Sequence, residues 1–188
     1  MRKLILEEWT SLDGYAVDKN GKLGFFPSTE ANKYADNDQL KFMESIDTIL
    51  LGRKTYELFA DFWPDATTET EIIADKLNGT NKIVFSNTIV KAPWGKWKSA
   101  EILNGEATAA IKSLKLLPGK DIVLWGSISL AQTLMKENLI DEFHIQLCPV
   151  LTGGGRKLFP NEMNLQQLTL SEVRQYNTGV VFLNYKNN

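Results

Sequence analysis

With 188 residues, 43% of them hydrophobic and 23% charged, the chain has the composition of a folded globular protein and the length to bury a substantial core. A net charge of −2 and a pI near 5.5 exclude the broad basic surface that nucleic acids or anionic membranes require, so any phosphate binding has to be local. One cysteine, Cys148, and one histidine, His144, exclude an internal disulfide, a thiolate zinc cluster and a multi-histidine metal site.

The first strand is expected around Leu4, Leu6 and Trp9, and Ser11-Leu12-Asp13-Gly14 ends it in a turn. Its apolar start meets Glu7 and Glu8 too soon for a signal peptide, and no apolar run approaches a membrane span; the expected place is the cytoplasm. After glycine-rich irregular chain, Ser28 is positioned to cap a helix that runs through Phe42 and Met43, followed by a strand over 46–51. A helix starts at Arg53, residues 59–64 read as a loop, and 68–77 read as another helix stopped by Asn78-Gly79. Strand 83–85 leaves at Ser86-Asn87-Thr88, helix 107–116 closes at Pro118-Gly119, strand 121–125 runs into Gly126-Ser127, and a helix follows from Ile128. Residues 143–148 alternate as a strand, with His144 and Cys148 on the face opposite Phe143, Ile145 and Leu147. At about 13 Å along a strand, that His and Cys are too far apart for a nucleophilic pair. Segments 165–176 and 180–185, joined by Asn177-Thr178-Gly179, read as an antiparallel hairpin. The alternation predicts one α/β domain over 1–188, a mixed, mostly parallel sheet flanked by helices with right-handed crossovers, and no internal repeat.

Two junctions carry the functional signal. At Ile49-Leu50-Leu51-Gly52-Arg53-Lys54-Thr55 a buried strand breaks at glycine and enters a helix with two cations in its first turn. Cations there oppose the helix dipole unless an anion such as phosphate lies between them, or unless both side chains simply point into water at a cost of a few tenths of a kcal/mol, the size of exposed dipole effects. The Trp125-Gly126-Ser127 junction repeats the pattern, and two such junctions favour a dinucleotide.

The ordered set Ser11-Leu12-Asp13-Gly14, Gly52-Arg53-Lys54-Thr55-Tyr56, Ser86-Asn87-Thr88, Gly126-Ser127 and the run from Pro149 through Gly153-Gly154-Gly155 to Phe159 resembles the dihydrofolate reductase-like superfamily. Within it the chain is most similar to bacterial proteins resembling the C-terminal reductase domain of the riboflavin-biosynthesis enzyme. The resemblance implies an NADPH site at the strand ends and a homodimer. By the family's pattern Gly52, Arg53, Lys54 and Thr55 would hold the 2′-phosphate and pyrophosphate side, Ser86 and Asn87 the adenosine, and Gly126, Ser127 and Ile128 the pyrophosphate. Ser86-Asn87 also reads as an ordinary turn, Gly126-Ser127 as a helix cap, and Gly153 to Gly155 as a bend.

The resemblance also places the loop after strand one, from Trp9 through Ser11, Asp13, Tyr15, Ala16 and Val17, beside the nicotinamide, with Asp13 as the candidate catalytic carboxylate and Asp-Gly turn chemistry as its alternative. Dihydrofolate reductases carry an acid on the helix after this loop, where Glu30, Asp36 and Asp38 give no unambiguous match. Trp9, Ser11, Tyr15, Phe26, Trp63 and Trp125 are the candidate substrate residues, since aromatic faces stack on a planar heterocycle. The expected function is NADPH-dependent reduction of a pteridine- or pyrimidine-like substrate by hydride transfer. The alternatives are a catalytically silent NADP(H)-binding or sensor protein, and an interaction protein whose Phe143, Ile145 and Leu147 row or last hairpin forms a dimer surface.

Overall fold

The computed structural model describes residues 1–25 and 33–188, with side chains over 1–25 and 37–188. Phe26, the Ser28 cap and Glu30 lie outside the described residues, as does the side chain of Asp36. Strands β1 (Leu4–Ser11), β3 (Ile46–Gly52), β4 (Asn81–Phe85), β5 (Glu101–Leu103), β6 (Asp121–Leu124), β7 (Glu142–Cys148), β9 (Leu168–Gln175) and β10 (Val181–Asn187) form one sheet in the order β5-β4-β3-β6-β1-β7-β10-β9. Every pairing from β5 to β7 is parallel, and the two pairings of β10 are antiparallel. This is the expected mixed, mostly parallel sheet with its C-terminal hairpin. A two-stranded ribbon of β2 (Tyr15–Val17) and β8 (Arg156–Lys157) stands apart from it.

The parallel strands are nearly continuous apolar runs because helices cover both faces. On one face Leu4, Leu6, Leu50, Ile122 and Leu124 pack with Ile111 of α4 (Ala107–Leu116) and Leu130, Ala131, Leu134 and Met135 of α5 (Ile128–Lys136). On the other, Ile49, Leu51, Val84 and Val123 pack with Met43 of α1 (Lys33–Ser45), Tyr56 of α2 (Arg53–Phe62), Leu77 of α3 (Ala74–Gly79) and Trp94. The chain fills β3, β4 and β5 outward and then returns to insert β6 between β3 and β1. A crevice therefore opens at the carboxyl ends of these strands, where open α/β sheets bind ligands.

Three local readings are corrected. Residues 59–64 are not a loop: α2 continues through Phe62 and a single 3₁₀ turn takes Trp63–Asp65, because Tyr56, Phe59, Ala60 and Trp63 keep helical spacing toward the core until Pro64 removes a donor. The helix read over 68–77 shrinks to α3; Thr70 Oγ1 donates to the Thr67 carbonyl and the amides of Thr70 and Glu71 turn back to the same oxygen, so local polar bonds displace helix in the threonine-rich half. Phe143 and Ile145 are buried inside the molecule in the cluster that contains α5, so that row is no dimer surface. Cys148 is buried with Tyr176, Val180 and Phe182, and burial pushes its thiol up to about 11, away from nucleophile chemistry.

Arg2 ties the amino ends of three strands together. Its Nε donates to the Lys120 carbonyl at 2.5 Å, and Nη2 donates to Thr48 Oγ1 at 2.7 Å and to the Asp47 carboxylate. Arg2→Met keeps the apolar stem but strands these acceptors, and is expected to cost about 2–3 kcal/mol, the range for buried hydrogen bonds to a charged group, measured by urea denaturation.

Candidate functional site

The two glycine junctions meet. Gly52, the N-cap of α2, donates its N–H to the Gly126 carbonyl at 3.0 Å, and the Trp125 amide donates to the Leu50 carbonyl at 3.2 Å. A Cβ on Gly52 would stand 2.8 Å from Ser127 Cβ and 3.0 Å from Ser127 N. Gly126, at φ +81°, has a conformation that side chains disfavour, and a Cβ there would lie 2.8 Å from Thr55 Oγ1 and 3.1 Å from Glu8 Oε1. Its peptide bond to Ser127 is cis. Neither α2 nor α5 has an acid in its first turn, and α2 has no side-chain cap, so its first N–H groups and the positive dipole end face the crevice with no local counter-charge.

Above these junctions lies a cleft of about 980 Å³. Its aromatic wall is a relay of rings: Trp125 lies 6.1 Å from Phe59, and Phe59 lies 6.1 Å from Trp63. Trp9, Ala16 and Val17 line it from the strand-one side, and Lys54, Thr55, Ser127 and Ile128 from the helix starts. These are nine of the sequence-nominated residues (Trp9, Ala16, Val17, Lys54, Thr55, Trp63, Trp125, Ser127, Ile128), gathered from five separate stretches of chain.

Among the described residues the cleft is lined by four acids, Glu7, Glu8, Asp18 and Glu71, and Asp13 is not among them; Glu7 and Glu8 lie on the central strand β1. Trp125 Nε1 and Gln39 Nε2 both donate to Glu7 Oε2, at 2.6 and 2.7 Å. Burial raises the Glu7 carboxyl above the ordinary range against the pull of His144 and these two donors. Burial likewise pushes Glu8 up to about 8, with the Trp9 amide opposing and the neighbouring Glu7 adding to the rise. Glu8 is therefore a neutral carboxylic acid at pH 7, able to hold and give a proton beside Thr55.

Asp13 has another task. Its Oδ1 accepts from Ser11 Oγ at 2.6 Å and the Thr152 amide at 3.2 Å, and its Oδ2 accepts from the Gly153 amide at 2.9 Å. The Ser11 hydroxyl first, then these amides, bring its carboxyl down to about 2, so it carries no proton at neutral pH and is not in the cleft wall. Ser11 is buried and Oγ also accepts the Tyr15 amide at 3.0 Å, while Tyr15 faces Lys157; neither lines the cleft. Arg53 forks onto Glu57 at 2.8 and 3.1 Å, which answers its charge locally and leaves Lys54 as the first-turn cation on the cleft. Ser86 Oγ accepts the amides of Thr88 and Ile89, and Asn87 Oδ1 accepts that of Gly105; both build an exposed turn at the end of β4, one strand from Gly52. Asp38 pairs with Arg174 and accepts from Tyr176, outside the main cleft.

Glu7, Glu8, Gln39, Gln146, Phe59 and Arg156 escaped the sequence reading. Two adjacent glutamates in the middle of a strand, directly after three apolar residues, were the available signal. Among the described residues no cluster of metal-ligating side chains forms, and no helix is long and apolar enough to cross a membrane.

The model of the RibD C-terminal domain matches residues 2–182. The uncharacterized protein YyaP of Bacillus subtilis (strain 168) is 32% identical over 187 residues, covering 98% of this chain and 94% of that protein. A putative riboflavin biosynthesis protein from Shewanella sp. PV-4 superposes with a TM-score of 0.75 at 25% identity, over 100% of this chain and 99% of the other. For fold alone, a Thermotoga maritima diaminohydroxyphosphoribosylaminopyrimidine deaminase/5-amino-6-(5-phosphoribosylamino)uracil reductase gives 0.67 at 10% identity over 100% and 57% of the two chains. Dihydrofolate reductase from Enterococcus faecalis gives 0.59 at 13% over 99% and 96%, so the sheet is of the dihydrofolate reductase-like kind.

A neutral Glu8 leaves a thermodynamic mark. Its folded-state pKa of about 8 stands above the ordinary 4.5, so between those values the unfolded chain has lost a proton that the folded chain keeps, and rising pH favours unfolding. Scanning calorimetry is expected to give a Tm for Glu8→Gln that falls less than the parent's between pH 5 and pH 8; parallel curves would show that Glu8 is already ionised.

Proposed function

The chain belongs to the RibD C-terminal domain family, and from that premise we propose that it is an NADPH-dependent reductase of a small planar heterocycle, pteridine- or pyrimidine-like. The observation that carries this reading is the contact of two uncapped or glycine-entered helix starts beneath an aromatic cleft that also holds a neutral acid. The residues fit the cofactor: Gly52 and Gly126 leave room that a Cβ would fill, and Lys54, Thr55, Ser127 and Ile128 offer a cation, hydroxyls and helix-start amides for the diphosphate side. Ser86 and Asn87 continue the strand-end edge toward the adenosine, while Trp9, Ala16 and Val17 bound the ring end. NADPH, when bound, supplies a hydride.

The chain's own work is orientation, exclusion of water and proton delivery. Trp125, Phe59 and Trp63 give an apolar wall of rings tilted by 48° and 54° to one another, one face of which a planar acceptor covers as water is displaced. Glu7 fixes the Trp125 indole through Nε1. Glu8 holds the proton that the acceptor needs next to the atom receiving hydride, and solvent returns it afterwards. A silent binding protein would need no such acid, so the raised Glu8 favours turnover over the sensor reading.

Isothermal titration with NADPH and NADH tests the cofactor assignment. Lys54→Ala is expected to weaken NADPH about tenfold, the loss of one charge-assisted bond, and NADH much less, whereas Arg53→Ala, already neutralised by Glu57, changes either by less. Equal losses for both cofactors would remove Lys54 from the 2′-phosphate. For the proton, the reduction rate is expected to fall as pH rises through about 8, and Glu8→Gln to lower it by roughly 10²-fold and flatten that limb in stopped-flow measurements; an unchanged limb would assign the proton elsewhere.

A further inference from the structure

The floor of the cleft is acidic and its rim is mixed. Glu7 and Gln146 are buried and Glu8 is half-buried, on β1 and β7, and all three line the cleft. The lining cations Lys19, Lys54 and Arg156 are each exposed, and Asp18 and Glu71 line the cleft with them. A ligand that reaches the floor therefore meets carboxyl groups with no buried cation of the cleft wall beside them.

Gln146 sets a direction as well as a sign. It is 5% exposed, and its Oε1 has no hydrogen-bond partner among the described residues. A buried acceptor left unpaired costs free energy that a ligand N–H would recover. Beside it, the hydrogen bonds from Gln39 and Trp125 to Glu7 both land on Oε2. The parallel register pairs Glu7 with His144 and Trp9 with Gln146, so Glu7, Trp9 and Gln146 share one face of the sheet at neighbouring positions. Acceptor atoms and an aromatic ring thus stand together at the bottom of the cleft.

A phosphate monoester brings a charge of about −1.5 to −2 at neutral pH and only acceptor oxygens. Placed on this floor it would meet the acceptor atoms of Glu7 and Gln146 with nothing to donate to them, whereas a ring edge with N–H groups satisfies both. We propose that the acceptor of this cleft is a planar nitrogen heterocycle that presents adjacent N–H donors to Glu7 and Gln146 and turns any phosphate it carries away from them, toward the rim. The inference rests on the reductase reading only in calling that ligand the acceptor.

The test is a matched pair, 5-amino-6-ribosylaminouracil and its 5′-phosphate, with 2-amino-4-oxopteridine as a third probe, titrated calorimetrically into the full chain with and without NADPH. At least one probe is expected to bind, and Glu7→Gln to weaken the bound probe tenfold or more while NADPH affinity stays in place. Gln146→Met, close in size and without the acceptor, is expected to weaken the same probe, and guards against a Glu7 variant that fails to fold. Any added affinity of the 5′-phosphate is expected to vanish in Arg156→Ala and to survive Gln146→Met. A bound probe that neither Glu7→Gln nor Gln146→Met weakens overturns the proposal, as does failure of every probe. Absence of NADPH binding would instead sink the reductase reading and leave the preference among the probes readable.

Discussion

Gly52 and Gly126 are held against each other by one hydrogen bond between the ends of β3 and β6, which have two strands between them in the chain but are adjacent in the sheet. Everything around the cleft depends on how closely those two backbones approach. The Ser127 side chain occupies the space that a Cβ on Gly52 would need, and Thr55 and Glu8 crowd the corresponding space at Gly126. Because both positions lack side chains, α2 and α5 can begin at the same point in space, and their dipole ends reinforce each other there. The aromatic wall follows from this, since Trp125 immediately precedes Gly126 and Phe59 sits two turns into α2.

Against that positive edge the fold sets two carboxyl groups on its central strand. The pairing of β1 with β6 stops at Leu6, so the next two residues, Glu7 and Glu8, project to opposite faces and still both reach the crevice. Burial alone would make these acids costly; the donors from Gln39 and Trp125 offset part of the cost at Glu7, and Glu8 meets it by staying protonated. The stability given up by an acid with a raised pKa is characteristic of sites where a proton must be available near neutral pH. Asp13 is the contrast within the same stretch of chain: three donors stabilise its charge, and it serves as a clasp between the β1 turn and the loop at Thr152 and Gly153.

What the sequence revealed and concealed follows the range of the interactions. The strand-glycine-helix junctions at Gly52 and Gly126 were legible because a change of period and a missing side chain are local signals, and the hairpin around Asn177-Thr178-Gly179 was legible for the same reason. The partners of Asp13 were concealed because two of the amides that bond it lie about 140 positions along the chain, beyond any pattern in the turn itself. The Arg53 ion pair was overlooked for a subtler reason: its i+4 partner Glu57 is visible in the sequence, yet the dipole reading weighed only the first turn. The 68–77 helix failed because threonine hydroxyls compete for carbonyls that helix propensity assumes are available. Glu7 and Glu8 resemble solvated strand residues until the sheet order sets β7 beside them and the cleft over them.

Membership of the RibD C-terminal domain family fixes the scaffold and the place of its crevice, and a fold leaves the choice of ligand open. That choice lies with side chains the backbone does not dictate. The positive strand-end edge is built mainly from backbone, through glycines and helix starts. The acceptor floor is built from side chains of β1 and β7, Glu7 and Gln146 among them, which a substitution changes directly. Because these side chains are desolvated while the rim cations remain in water, the floor weighs more per charge in discriminating between ligands. Selectivity on this fold is consequently expected to diverge at positions such as Glu7 and Gln146 while the glycine junctions stay the same.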